Sequence, residues 1–183
     1  MEKRAFRKFT KVSLLVVPLG IATMVWATPT FNIVLNQIVA MGASPGDISE
    51  FLRVASDPKK EAENNPNGES EDHDWQLHLR TKGATDFYLQ HIVVGPGGYS
   101  GWHTHPGLLI GTVVSGSIDF YDANCQKRSF TAGQVFTENT EVHAIINTGV
   151  VNADLSAAYL IKHNLPRRIE ADAPVCAPLT GIP

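Results

Sequence analysis

Apolar and polar residues alternate with a period of two over residues 75–80. Trp75, Leu77 and Leu79 take one parity and Gln76, His78 and Arg80 the other, the pattern of a half-buried strand. Residues 87–94 (FYLQHIVV) make a second apolar segment, closed by Gly95-Pro96-Gly97-Gly98. Residues 108–114 make a third and end at Ser115-Gly116-Ser117. Residues 118–121 follow, with a turn at Asp122-Ala123-Asn124. Residues 128–130 and 134–137 flank Ala132-Gly133, residues 142–146 precede Asn147-Thr148-Gly149, and residues 153–161 form the last long strand. Strands this short, at spacings of about 8 to 12 residues with turns between, predict an all-β sandwich or barrel. Upstream, residues 31–42 (FNIVLNQIVAMG) suggest a first strand, and residues 49–55 (SEFLRVA) one short helical turn.

Two segments break the pattern. Residues 57–74 (DPKKEAENNPNGESEDHD) are polar and charged, which predicts a flexible loop. The chain starts with Lys3, Arg4, Arg7, Lys8 and Lys11, followed by an uncharged run over residues 12–27 that ends on Trp26-Ala27. A basic start, an apolar middle and a small residue at the end predict a secretory signal peptide over residues 1–27. The run is shorter than the roughly 20 apolar residues a bilayer span needs, so contact with a membrane is expected only if it stays uncleaved. The expected organisation is a signal segment or anchor at 1–27, an N-terminal strand and acidic loop at 28–74, a barrel at 75–165 and a tail at 166–183.

Composition narrows the partners. The 183-residue chain has a formal net charge of -3, and removing residues 1–27 leaves -7. An acidic chain without a basic stripe is a poor ligand for nucleic acid. Cys125 and Cys176 are the only cysteines. An even count in an exported chain reads as a disulfide, with two buried thiols as the alternative.

The chemistry gathers around GYSGWHTHPGLLIGTVVSG, residues 98–116. On a strand, His103 and His105 project to one face. Downstream stand Glu138, Glu141, His143 and Asn147. This arrangement resembles the cupin superfamily. That family's first motif runs G-x5-H-x-H-x3-4-E-x6-G, matched here by Gly97, His103, His105 and Gly116. Its second motif is roughly G-x5-P-x-G-x2-H-x3-N, matched by Gly133, His143 and Asn147 with one residue fewer between glycine and histidine. Glu138 and Thr140 stand where the proline and second glycine would be. The resemblance covers roughly residues 75–162. It is closest to exported bacterial cupins with GWHTHPG in the first motif and a cysteine in the hairpin between motifs.

The resemblance implies an all-β cupin-type barrel, a double-stranded β-helix or jelly roll, with a metal inside. The family's glutamate falls at Leu109, which cannot ligate. The expected ligands are therefore His103, His105 and His143 on a divalent ion such as Fe, Zn, Cu, Ni or Mn, with open positions for a small molecule. Dioxygenase-type or lyase chemistry would follow. The alternatives are a binding cupin without turnover, or a structural one whose site is degenerate and filled by Asn147 and water. Leu109 is expected to form an apolar wall beside the metal. Glu141 would orient His143 or serve the turn, and Gln90 would face inward if its strand has that parity. Trp102 would wall the pocket or pack the core. A homodimer is left open.

Overall fold

The computed structural model describes residues 29–54 and 75–183. The expected signal segment at 1–27 and the expected loop at 57–74 lie outside the described residues.

Among the described residues, twelve strands and one 3-10 turn account for the regular structure. They run β1 (Phe31–Ser44), β2 (Ser49–Val54), β3 (Trp75–Arg80), β4 (Thr85–Tyr99), β5 (His103–Thr104) and β6 (Gly107–Ser115). Then follow β7 (Ser117–Asp122), β8 (Lys127–Thr131), β9 (Val135–Glu138), β10 (His143–Ile146), β11 (Ala153–Lys162) and β12 (Ile169–Glu170). Ten of them form one antiparallel sheet that rolls into a barrel. One wall reads β1-β4-β11-β6-β9 and the other β12-β5-β10-β7-β8, with β4 joined to β10 where Tyr99 faces Ile146. The fold is the all-β cupin-type jelly roll.

Strand β11 shows how the pattern builds the wall. Ala153, Leu155, Ala157, Tyr159 and Ile161 are buried, while the residues between them are half-buried or exposed. Both of its edges are paired, to β4 and β6. The inward residues join Val94, Val113, Ile118, Phe120 and Phe136 in the main core. Gly116 turns β6 into β7 with a φ of 76°, and a Cβ there would come within 2.5 Å of the Asn152 carbonyl. Only glycine fits that turn.

Two expectations need correction. Residues 49–55 do not make a helical turn: Ser49–Val54 is strand β2, paired in full with β3. A seven-residue segment cannot sustain a helix against such a ladder. Strand β3 is a strand, as the alternation predicts, but it pairs only with β2 and stands off the barrel sheet. Its alternation sets which residues share a face, not which strand it meets.

The tail is ordered by the barrel end. Ile169 and Glu170 pair with Thr104 and His103, and the Ala171 N–H donates to the Trp102 carbonyl at 3.1 Å. Ala177 and Ile182 are buried against Trp102, Ala144 and Ile146. Cys125 and Cys176 form a disulfide, with their Cα atoms 6.1 Å apart. The bridge ties the 3-10 turn at Ala177–Leu179 to the β7–β8 hairpin.

Candidate metal centre

His103 and His143 are Cα partners on β5 and β10, so the antiparallel ladder itself sets them side by side. His105 follows β5, its N–H bonded to the Asn139 carbonyl at 3.0 Å. The three ring centroids lie 4.4 to 5.2 Å apart. Glu138 closes β9, and its Oε2 lies 2.9 Å from His105 Nε2 and 3.3 Å from His143 Nε2. All four residues are buried, and one ligand atom from each falls within 4.8 Å of the others.

The outer nitrogens explain the orientation. The Nδ1 of His103 lies 2.9 Å from the Gly101 carbonyl, that of His105 2.6 Å from the Arg167 carbonyl, and that of His143 2.7 Å from the Glu141 carbonyl. A carbonyl only accepts, so each Nδ1 carries its proton and each Nε2 turns inward. This is the second-shell arrangement that holds imidazoles for a metal.

That geometry is a test of fit, and the residues pass it. His143 Nε2 is buried with no hydrogen-bond partner in the protein. A buried unpaired nitrogen lone pair beside a carboxylate is unfavourable unless a cation lies between them. His105 Nε2 lies 2.9 Å from Glu138 Oε2, on the inner side of the ring where a metal bond would form. Burial holds the His103 imidazole well below its ordinary pKa, against the pull of Glu138, so it stays neutral and able to ligate. Burial alone would raise the Glu138 carboxyl. The His143 and His105 imidazoles beside it outweigh that and keep the group ionised.

Glu138 overturns the three-histidine expectation. The cluster has a carboxylate as well as imidazoles, and it comes from the strand next to the one expected to carry it. Glu138 is the cross-strand partner of Leu109. Cross-strand partners share a sheet face. The carboxylate of the cluster therefore comes from β9, directly opposite the position where the motif would place its acid. Both positions can be read in the sequence, and only the β6–β9 register joins them.

Leu109 itself is 2% exposed and packs in the main core, and it does not line the cavity. Gln90 does line it, its parity set by the pairing of β4 with β11. Its Oε1 accepts from the Tyr159 hydroxyl at 2.5 Å and its amide donates to Asn36 Oδ1. Burial raises the Tyr159 phenol, and the Glu138 charge raises it further, so it stays protonated. Glu141 meets His143 through its backbone carbonyl. Trp102 is fully buried in the second core cluster, away from the cavity. Asn147 does not fill the site. Its side chain binds the Val94 and Val151 carbonyls and the Gly149 N–H, tying down the β10–β11 connection.

The cluster opens on two sides. A cavity of about 80 Å³ is lined by His103, His105 and Glu138 at one end and Ile33, Ile92, Tyr159, Arg167 and Arg168 further out. A second, of about 190 Å³, reaches Glu138 and His143 past Asp122, Arg128 and Glu141. Sequence reasoning missed Arg167 and Arg168 because the tail has no pattern that places it over the barrel mouth.

Residues 90–159 match the Cupin_2 family, described as the cupin domain. That part of the chain is a cupin domain. No curated protein sequence matches the chain. Among solved structures it is similar to an oxalate oxidase in complex with the substrate analogue glycolate, at 22% identity and a TM-score of 0.37, over 40% of this chain and 41% of that one. It therefore spans well under half of that protein. An uncharacterized conserved protein with a double-stranded β-helix domain from Klebsiella pneumoniae subsp. pneumoniae is 22% identical, with a TM-score of 0.42, over 47% of this chain and 70% of that one. A "predicted oxalate decarboxylase" from Thermotoga maritima is 24% identical, with a TM-score of 0.38, over 44% and 84%. TM-scores of 0.37 to 0.42 identify no substrate.

Proposed function

We propose that the protein is an exported cupin that holds a divalent metal through His103, His105, His143 and Glu138 and presents its open positions to a small molecule in the cavity. The observation that carries this reading is the inward convergence of three Nε2 atoms on one buried carboxylate, each Nδ1 proton being held by a backbone carbonyl. Three imidazoles and one carboxylate suit Fe(II), Mn(II), Zn(II), Ni(II) or Cu(II). Bound there, such an ion would act as a Lewis acid on a ligand oxygen, the starting point of dioxygenase-type or lyase chemistry. The protein's own groups hold the ligand and exclude bulk water. Tyr159 keeps its proton and is fixed by Gln90, so it can donate to a bound ligand only by leaving that bond.

A second reading, binding without turnover, is favoured by one observation. Among the described residues lining the cavity, Glu138 is the only carboxylate, and it faces the histidines. In this cavity no second described carboxylate stands ready as a general base, and Asp122 and Glu141 line the other opening. Export is supported by the basic and apolar start of the sequence and by the disulfide, which persists in oxidising compartments.

Metal analysis of protein purified from the exported fraction tests the reading. Close to one equivalent of a transition metal is expected, lost in His103→Ala, His105→Ala and His143→Ala and kept in His78→Ala. A wild-type protein that takes up no metal from any of these ions overturns it. N-terminal sequencing of the same material should find a start near Thr28, and an intact Met1 would oppose cleavage.

A further inference from the structure

We propose that the cavity takes a small organic carboxylate and that the Arg167 guanidinium anchors it. This deepens the metal reading and rests on it for one of the ligand's two contacts.

Charge comes first. A divalent ion with Glu138 leaves the inner end of the cavity with one net positive charge, and Arg167 on the wall adds another. Among the described residues no carboxylate pairs with Arg167. Its guanidinium lies 5.4 Å from the Tyr159 ring centroid, a cation–π contact that holds it in the wall without neutralising it. Arg168, its neighbour, differs in this respect. Arg168 bonds both Glu170 oxygens and the Ser100 carbonyl, so its charge is already met. The cavity thus carries a partly buried, unmatched cation facing a metal cluster. An anionic ligand would match it, and a guanidinium binds a carboxylate through two parallel hydrogen bonds.

Size and lining favour a carboxylate over phosphate. About 80 Å³ is room for roughly half a dozen waters, hence for a molecule of a few heavy atoms. Ile33, Ile92 and Ile145 supply apolar walls that suit a short carbon body. One guanidinium matches one carboxylate charge.

Arg167 also contributes its backbone. Its carbonyl accepts from His105 Nδ1 at 2.6 Å. A side-chain substitution leaves that carbonyl in place, so anion binding can be removed while metal binding persists. This separates the two readings.

The test uses the full mature chain loaded with Co(II), titrated calorimetrically with propionate, its neutral isostere propionamide, and inorganic phosphate. Propionate is expected to bind about tenfold or more tighter than propionamide, as a charge-assisted pair requires. Arg167→Gln should lose about tenfold of the propionate affinity while its Co(II) affinity stays within about twofold, because the removed group touches the anion and not the ligand imidazoles. Equal binding of propionate and propionamide, tighter binding of phosphate, or unchanged propionate affinity in Arg167→Gln overturns the proposal. If Arg167→Gln also loses cobalt, Arg167→Lys decides. Retained cobalt with propionate weakened several-fold supports the anchor, since lysine cannot make the bidentate pair, and unchanged propionate affinity overturns it. If the wild type binds no cobalt, the titrations are run with whichever of Fe(II), Mn(II), Zn(II), Ni(II) or Cu(II) it takes up, and if it takes up none the metal reading fails by itself. An Arg167-dependent preference for propionate over propionamide in the metal-free protein then still supports the anchor, and its absence overturns it.

Discussion

Glu138→Gln separates a four-ligand site from the three-histidine set that the motif spacing suggests. The substitution keeps the size and one oxygen of the side chain and removes its charge. The carboxylate is 4% exposed, so water does little to screen it. Two unit charges about 4 Å apart at an effective dielectric near 20 interact by about 4 kcal/mol, and a divalent ion by more. The remaining amide oxygen recovers part of this. A net loss of about 3 kcal/mol is expected, a factor of roughly a hundred in the metal dissociation constant. Competition with a chromophoric chelator, using Zn(II) or Co(II), measures it. The metal-free protein changes as well, because His105 Nε2 now faces a neutral amide instead of a carboxylate, so thermal unfolding should be followed with and without metal. If Glu138→Gln binds metal as tightly as the wild type while His143→Ala does not, the carboxylate is no ligand and the three histidines act alone.

Moving the acid back across the ladder should restore the site. Glu138→Leu should lose metal, and the double change Glu138→Leu with Leu109→Glu should recover most of it, since the two positions are opposed on β6 and β9; no recovery by chelator competition would mean that side chains at 109 cannot reach the imidazoles. Leu109→Glu alone should destabilise the metal-free protein by several kcal/mol, because it buries a second carboxylate beside the first; an unchanged melting temperature would refute this. Reducing the disulfide, or Cys125→Ser with Cys176→Ser, should lower stability by up to roughly 4 kcal/mol for a closed loop of about 50 residues. It should also weaken metal binding, because the tethered tail carries the Arg167 carbonyl that orients His105; equal chelator-competition constants for the oxidised and reduced protein would refute that link. Asn147→Ala strands the buried Val94 carbonyl and the part-buried Val151 carbonyl and Gly149 N–H, and should cost about 1 to 3 kcal/mol in denaturant unfolding while the metal content stays at wild-type level. The Asp86 carboxyl is held below its usual range by the hydrogen bond with His163, so its share of stability is present above the ordinary carboxylate pKa and is lost as pH falls through and below that range. Asp86→Asn should flatten the acid limb of the stability curve, and an unchanged limb would remove the pair from the account.

The sequence by itself determined the period of the strands, the turns between them and the histidines that face each other. Period two in residues 153–161 is enough to say that Tyr159 and Ile161 point inward, because a strand sends alternate side chains to opposite faces. The His-x-His pair with its glycine at the motif's distance, and the later histidine one residue nearer to its own glycine, are likewise local facts. So is the even cysteine count, although the partner of Cys125 is fixed only because no other cysteine exists. Tertiary structure decided whatever depended on which strand met which. Residues 75–80 alternate correctly and still pair outside the barrel, since alternation carries no information about the partner. Glu138 stands in the sequence where the second motif has its proline, and its meaning lies in the β6–β9 register, which sets it opposite the position where the motif would place its acid. Arg167 lies in a tail without periodicity, and it reaches the site because a disulfide, a two-residue strand pairing and the burial of Ala177 and Ile182 fold that tail over the barrel mouth. Local pattern is written in neighbouring residues, but the cluster of three histidines and Glu138, with Arg167 on its cavity wall, is assembled from positions far apart in the chain, and only the packed barrel brings them together.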